Sequence, residues 1–327
     1  MGRSNSSGKA SRLLVCFDFE GSYGMPHDAP YDIEDGARRI LGMLARYQAS
    51  ATFFVVGRLI EEHPRIIHAL ADAGHEIGLH GYDHDNLATY DTQRLAQFDD
   101  DLARVESRLH EITGVAPRCF RAPYLLSPHF YRSEISAILK THGYRWVSNR
   151  EVRYPIELLR PDRLPINNAW RRRSTGSPRL TNCSLMLAPL NAGLVLRETF
   201  GASSTERLQW LLGDRRPFWR DGLVEVPLYA PLDCDLLGLP TPQCDTQPKM
   251  LTYAQAVVKA AAIAALGTLS MVTFHDWIVS GGNRLVLLND ALAAARDAGT
   301  DISTVAANPD WLPKGAGQPN SQADVAS

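Results

Sequence analysis

Leu13-Leu14-Val15-Cys16-Phe17-Asp18-Phe19-Glu20-Gly21 opens on an unbroken apolar run and closes on two carboxylates and a glycine. A short run without polar alternation predicts a strand buried on both faces, the habit of parallel sheets. Downstream, Ile33 to Gln48 carries apolar residues at helical spacing (Ile33, Ala37, Ile40, Leu41, Leu44), with Asp32 placed to cap its first turn. Ala51 to Val56 is rich in β-branched and aromatic residues and predicts a second strand. Pro64 to Ala73 predicts a helix closed by Gly74, Glu76 to Leu79 a strand, and Thr92 to Thr113 a long amphipathic helix closed by Gly114. Cys119 to Phe120 begins a strand, Pro128 to His142 a helix, and Tyr144 to Val147 a strand.

The rhythm resumes with a strand at Leu223 to Val226, a helix at Ala254 to Leu266 and a strand at Leu269 to Phe274. A helix at Asn283 to Ala298 and a short strand at Ile302 to Val305 complete it. Such alternation predicts parallel strands joined by right-handed crossovers, hence a barrel or a doubly wound sheet. In a barrel, chemistry gathers where strands end and loops begin. Asp18, His80, Arg121 and His275 all fall at or just beyond predicted strand ends.

The chain has 327 residues, 45% of them hydrophobic, enough for a sizeable core. Thirty-four basic residues stand against 36 acidic ones, with no basic stripe, which excludes the electrostatic footprint of a nucleic-acid binder. The five cysteines are odd in number, widely spaced and without a Cys-x-x-Cys, so neither a disulfide framework nor a thiolate zinc site is expected. Residues 1–11 are Ser/Gly-rich and lead into no signal-like apolar core, and no stretch reads as a transmembrane span. A flexible arm and a cytoplasmic compartment are therefore expected. Residues 150–222 lose the periodicity and read as an inserted lid or subdomain. Within it lie the Arg171-Arg172-Arg173 cluster and an apolar stretch from Leu185 to Leu196. Peripheral membrane contact through that stretch is the less favoured reading; an ordinary lid helix is preferred. Residues 308–327 are Pro/Gly/Ser-rich and read as a flexible tail, which leaves 12–307 as the folded unit.

Two imidazoles four residues apart occur in Gly74-His75-Glu76-Ile77-Gly78-Leu79-His80-Gly81-Tyr82-Asp83-His84. With Asp18 or Glu20 they supply two nitrogen donors and one carboxylate for a divalent metal, and one carboxylate is left over as a base. Strand alternation points Asp18 and Glu20 to the same side. Arg121, in Phe120-Arg121-Ala122-Pro123-Tyr124, would keep a neighbouring carboxylate ionised and oriented. His275, ending Leu269 to Phe274, is placed to protonate a leaving amine.

Taken together, Phe17-Asp18-Phe19-Glu20, Ala51-Thr52-Phe53-Phe54-Val55, Gly74 to His80 with His84, Phe120 to Tyr124, and Phe274-His275-Asp276 resemble the polysaccharide deacetylase family. This is the NodB homology group, or carbohydrate esterase family four. The resemblance spans residues 12–150 and 223–305. It implies an α/β fold, a distorted (β/α) barrel of about seven strands, with 150–222 as an insertion. It implies metal-dependent hydrolysis of an N-acyl group, chiefly N-acetyl, on an amino sugar or oligosaccharide. The metal is expected to be zinc, with cobalt or manganese as alternatives. Carried over, Asp18 is the base and Glu20, His80 and His84 are the metal ligands. Arg121 orients Asp18, His275 is the general acid, and the Tyr124 backbone amide helps hold the oxyanion.

The sequence departs from the family pattern in four places. The acids are separated by Phe19 and the second is Glu. Gly81 stands where Ser or Thr is usual, which removes a loop hydrogen bond. Thr273 stands where a Leu usually lines the acetyl pocket, which leaves room for formyl or another acyl group. The family's later Asp-Trp motif, which tunes the acid histidine, is not evident; Trp146-Val147-Ser148-Asn149 is nearest, and Asp276 or Glu225 are the candidates to replace it. Two other readings follow: a deformylase or amidase acting on a lipid-linked sugar or small amide, and a barrel that binds carbohydrate without catalysis.

Overall fold

A computed structural model describes residues 11–23, 30–125, 132–153, 216–230, 232–263 and 269–314. Strand β1 (Arg12–Phe19) lies next to one end of the sheet, flanked by β2 (Thr52–Val55) and by β10 (Ser270–His275) from far along the chain. The row continues through β3 (Glu76–Leu79), β4 (Cys119–Phe120), β5 (Trp146–Val147) and β8 (Leu223–Glu225). These strands pair in parallel, in the order β10-β1-β2-β3-β4-β5-β8. An antiparallel strand, β7 (Phe218–Arg220), pairs with β8, and β11 (Asp301–Ile302) pairs with the start of β1.

The mixed sheet curls into a half-barrel. Beyond β5 and β8 the chain continues as β6 (Glu151–Arg153) and β9 (Leu228–Ala230), which pair in parallel as a separate two-stranded sheet. Strand β9 packs against β10, so this small sheet spans the gap left by the main one. The distortion expected of the barrel thus has a specific form: two strands break and re-form with a new partner.

The inner face carries Leu14, Cys16, Phe54, Cys119, Trp146, Val224 and Met271, all buried in one cluster. The outer face carries Leu13, Val15, Phe17, Phe19, Phe53 and Val55, packed beneath the helices. Neighbouring residues of β1 thus feed two cores, which is why its sequence shows no polar alternation. Phe17 and Phe53 stack on the outer side with ring centroids 4.7 Å apart.

Helices α1 (Ile33–Tyr47), α3 (Pro64–Asp72), α4 (Thr92–Thr113) and α5 (Ser133–Thr141) fill crossovers near their expected places. Asp32 caps α1 by accepting the Asp35 N–H at 3.0 Å, and Gly114 ends α4 in a left-handed conformation. Helix α7 (Pro248–Ala262) begins six residues earlier than expected, because Pro248 occupies its first turn. α9 (Leu285–Asp297) covers the last crossover. Three short helices had no periodic signal: α2 (Gly57–Glu62), α6 (Asp233–Leu237) and α8 (Asp276–Val279).

The expected lid over 150–222, with its arginine cluster and apolar stretch, lies largely outside the described residues, as does most of the expected N-terminal arm. Residues 308–314, expected to lie in the flexible tail, are part of the folded unit. Asn308 donates its N–H to Thr304 and Val305, Trp311 is buried against the inner cluster, and the Arg12 guanidinium lies over the Trp311 ring. The described cysteines Cys16, Cys119, Cys234 and Cys244 are free. No helix among the described residues is long and apolar enough to cross a membrane.

Candidate active site

β1 delivers two carboxylates to the barrel mouth. Asp18 is paired in register with His275 of β10, and Glu20 lies just beyond the strand, before a turn at Gly21. The Asp276 carboxylate fixes that turn by accepting the Glu20 N–H at 2.8 Å and the Gly21 N–H at 3.2 Å. The Trp277 indole N–H donates to Glu20 Oε2 at 3.1 Å, which leaves Oε1 directed at the histidines.

His80 leaves β3 with its N–H on the Val55 carbonyl. Its Nδ1 faces the Arg121 carbonyl at 2.9 Å, which assigns the ring proton to Nδ1 and turns Nε2 toward Glu20 Oε1, 3.4 Å away. His84 Nε2 lies 2.9 Å from the same oxygen. The loop between the histidines is tied to α2: Gly57 donates to the Gly81 carbonyl and Arg58 to the Tyr82 carbonyl. Gly81 has φ +72°, and a Cβ there would stand 3.1 Å from Pro123 Cγ. The glycine is thus required by the backbone, and main-chain bonds to α2 hold the loop where a Ser or Thr side chain was missed. His84 itself has φ 57°, strained for a non-glycine residue.

Donor atoms of Glu20, His80 and His84 all lie within 4.8 Å of one another, and all three residues are buried. Two overlapping groups, Asp18/Glu20/His275 and Asp233/Cys234/His275, meet the same spacing. Among them, Glu20/His80/His84 best fits a divalent metal. It offers two imidazoles and a carboxylate, a donor set suited to zinc, and the outward nitrogen of His80 already has a backbone acceptor. Burial works against a charge on Glu20. The charge of His275 and the adjacent His80 and His84 rings outweigh it, holding the carboxyl well below its usual range.

Asp18 is held from the other side. Arg121, fully buried, pairs with Asp18 Oδ1 at 2.5 Å. The remaining guanidinium donors go to the Ser148 carbonyl at 3.2 Å, Ser148 Oγ at 3.0 Å and Met271 Sδ at 3.3 Å, and its plane lies over Phe54. A buried guanidinium with every edge engaged has one orientation available, and so does the carboxylate it grips.

His275 Nδ1 lies 2.6 Å from Asp233 Oδ1, and its backbone N–H donates to Asp233 Oδ2 at 2.8 Å. Its Nε2 faces Glu20 Oε1 at 3.8 Å. Burial disfavours the imidazolium, but the carboxylates of Asp233 and then Glu20 hold His275 protonated well above the usual histidine range. Asp233, from the short helix α6, is therefore the carboxylate beside the histidine, in place of the expected Asp276 or Glu225. Asp276 is engaged by the Glu20 turn, and Glu225 accepts the Asn149 and Arg150 N–H groups at 2.8 and 2.9 Å.

Tyr124 sits at the rim with φ 59°, 66% exposed, its ring edge-on to His84 with centroids 4.8 Å apart. The structure thus brings Asp18, Glu20, His80, His84, Arg121, Tyr124 and His275 to one mouth. Sequence reading missed Asp233, Trp277, Ser148 and Met271. Trp277 was legible as the residue following His275-Asp276; Asp233 carried no motif.

Residues 10–147 match the family model described as polysaccharide deacetylase. A peptidoglycan deacetylase of Helicobacter pylori is 32% identical over 152 residues, 42% of this chain and 49% of that protein. A peptidoglycan-N-acetylglucosamine deacetylase of Bacillus cereus is 35% identical over 86 residues, 26% of this chain and 30% of that protein. The chain spans about half or less of these relatives' length. A solved structure from Mycobacterium smegmatis carrying a polysaccharide deacetylase description covers 97% of both chains. Its TM-score is 0.57 at 18% identity, a likeness of fold.

Proposed function

We propose, for a chain that belongs to the polysaccharide deacetylase family through residues 10–147, a metal-dependent hydrolase that removes the N-acyl group from an amino sugar within a glycan. One observation carries this reading. A single buried carboxylate, Glu20, has two histidines beside it, and the Arg121-clamped Asp18 and the Asp233-clamped His275 lie within 4.8 Å of it. Relatives described as peptidoglycan deacetylases support an acylated amino-sugar polymer as the substrate class. The unit responsible is the barrel that begins at β1 and includes the buried Trp311 beyond the expected boundary at 307.

Glu20, His80 and His84 would hold the metal, with zinc first by donor type and cobalt or manganese also compatible. When bound, it supplies Lewis acidity at the acyl carbonyl and a lowered pKa for water. Asp18, fixed by Arg121, takes a proton from the attacking water as oxygen adds to the acyl carbon. The Tyr124 backbone N–H meets the oxygen that becomes negative. His275, with Nδ1 on Asp233, gives a proton from Nε2 to the sugar nitrogen as the C–N bond breaks. Water and amide become carboxylate and amine.

The inactive-barrel reading rested on a missing carboxylate beside the acid histidine and on Thr273 in place of a leucine; Asp233 removes the first support. The lipid-linked reading rested on residues 171–196, which lie outside the described residues. The test is acetate, formate and amine release from a panel of acylated amino sugars by the zinc-, cobalt- or manganese-loaded chain. Asp18→Asn should retain the metal and lose at least about 10³-fold in turnover, while His80→Ala should lose the metal itself. Near-normal turnover in Asp18→Asn, or no stoichiometric metal in the parent protein, overturns the proposal.

A further inference from the structure

Alternation along β10 sends Val272 and Phe274 to the outer core and Met271, Thr273 and His275 to the barrel interior. The parallel register sets His275 beside Asp18 and Thr273 beside Cys16, one step further down the same wall. The next inward residue, Met271, touches the Arg121 guanidinium. Thr273 therefore lies between the proton-transferring pair above and the buried arginine below.

Thr273 is 5% exposed, and its hydroxyl oxygen is buried without any hydrogen-bond partner. A valine would fill the same shape and leave no polar atom unmet, so the hydroxyl at this position is a standing cost to the folded chain. Around it Asp18, Arg121, His275 and Asp233 all have partners; the other unpartnered buried atom of the site, His84 Nδ1, points away from Glu20 Oε1, which its Nε2 meets. A buried polar side chain on the inner wall, one step below His275 and unsatisfied by the protein, points to a polar atom that arrives with the ligand.

We propose that Thr273 determines acyl specificity by hydrogen bonding to a polar substituent on the carbon next to the acyl carbonyl. The pocket thereby takes a hydroxylated acyl group, 2-hydroxyacetyl (glycolyl), in preference to acetyl. The inference rests on reading the site as an N-acyl hydrolase. With the sugar nitrogen toward His275 and the mouth, the acyl substituent runs down the wall toward Thr273. An acetyl methyl offers the hydroxyl nothing, and a formyl hydrogen falls short of it. A glycolyl hydroxyl can both donate to and accept from Thr273 Oγ1. The bonds made and broken are unchanged: water and the glycolyl amide give glycolate and the free amine.

The test compares kcat/KM for N-glycolyl and N-acetyl glucosamine oligosaccharides with the zinc-loaded full chain, its Thr273→Val variant and its Thr273→Ser variant. The parent should prefer glycolyl by about tenfold. Thr273→Val should abolish or reverse that ratio, and Thr273→Ser should retain it. A calorimetric titration of glycolate and of acetate gives a second readout independent of turnover. Glycolate should bind the parent about tenfold tighter, and the two should bind Thr273→Val alike. Turnover of both amides at a ratio that Thr273→Val leaves unchanged overturns the role of Thr273 and leaves the hydrolase reading intact. Discrimination between glycolate and acetate without turnover of either amide overturns the hydrolase reading and keeps the pocket. Neither turnover nor discrimination overturns both.

Discussion

Asp233 grips His275 twice, at the ring Nδ1 and at the backbone N–H. The first bond sets the tautomer and the second sets where the ring begins. Asp233→Asn should therefore lower kcat roughly 10²-fold with KM nearly unchanged, since the orientation of the acid is lost and no binding contact is removed. Steady-state kinetics with an unchanged circular-dichroism spectrum checks this; an equal rise in KM would show Asp233 acting in binding instead. Most residues gathered at the mouth were legible because each ends a local pattern: Asp18 and Glu20 close an apolar run, His80 closes another, and Arg121 and His275 follow buried strands. Asp233 was not. It lies 42 residues before His275, in a five-residue helix with no period of its own. Its partnership exists only once β9 has packed against β10. The same holds for Ser148 and Met271, which became visible as the remaining edges of one guanidinium.

At the scale of elements, the long and well-punctuated segments were readable to the residue. Helix α4 begins and ends where its Asp91 cap and Gly114 place it, β3 has its expected bounds and β4 its expected start. The break of β5 into β6, and of β8 into β9, was not readable, because partner exchange is dictated by closure of the sheet and leaves no local period. Glu225 marks that break. It ends β8, accepts the Asn149 and Arg150 N–H groups where β5 gives way to β6, and is fully buried. Burial pushes its carboxyl from the ordinary 4.5 up to about 7, against the opposing pull of those backbone donors. A carboxyl raised on folding contributes stability that is complete below about pH 4.5 and is lost as pH rises through about 7. Glu225→Gln keeps an acceptor for the two N–H groups and removes the titration. Between pH 4.5 and 8, the parent should lose about 3 kcal/mol more stability than the variant. Urea unfolding at a series of pH values checks it; parallel curves for the two proteins would contradict it.

For the whole molecule, the barrel floor depends on the chain beyond residue 307. Trp311 is 5% exposed, packs on the inner cluster and lies beneath the Arg12 guanidinium, 5.4 Å from its ring centroid. Trp311→Ala should destabilise the fold by about 3 kcal/mol and lower the thermal midpoint, with the metal affinity of the mouth unchanged. Calorimetry and a zinc titration would separate the two effects. The floor was misread as tail because composition there is dominated by turn formers and one tryptophan cannot show a period. The placement of β10 beside β1 has a consequence for biosynthesis. Trp277 and Glu20, which touch, are separated by 257 residues of chain. A ribosome adding about 5–20 residues per second needs on the order of tens of seconds to supply that partner after the first carboxylates emerge. Throughout that interval Glu20 lacks the indole that orients it, and β1 offers one edge of its backbone to whatever the nascent chain meets. Translation speed and early chaperone capture therefore bear on the yield of this protein more heavily than on one whose reactive groups are close in sequence.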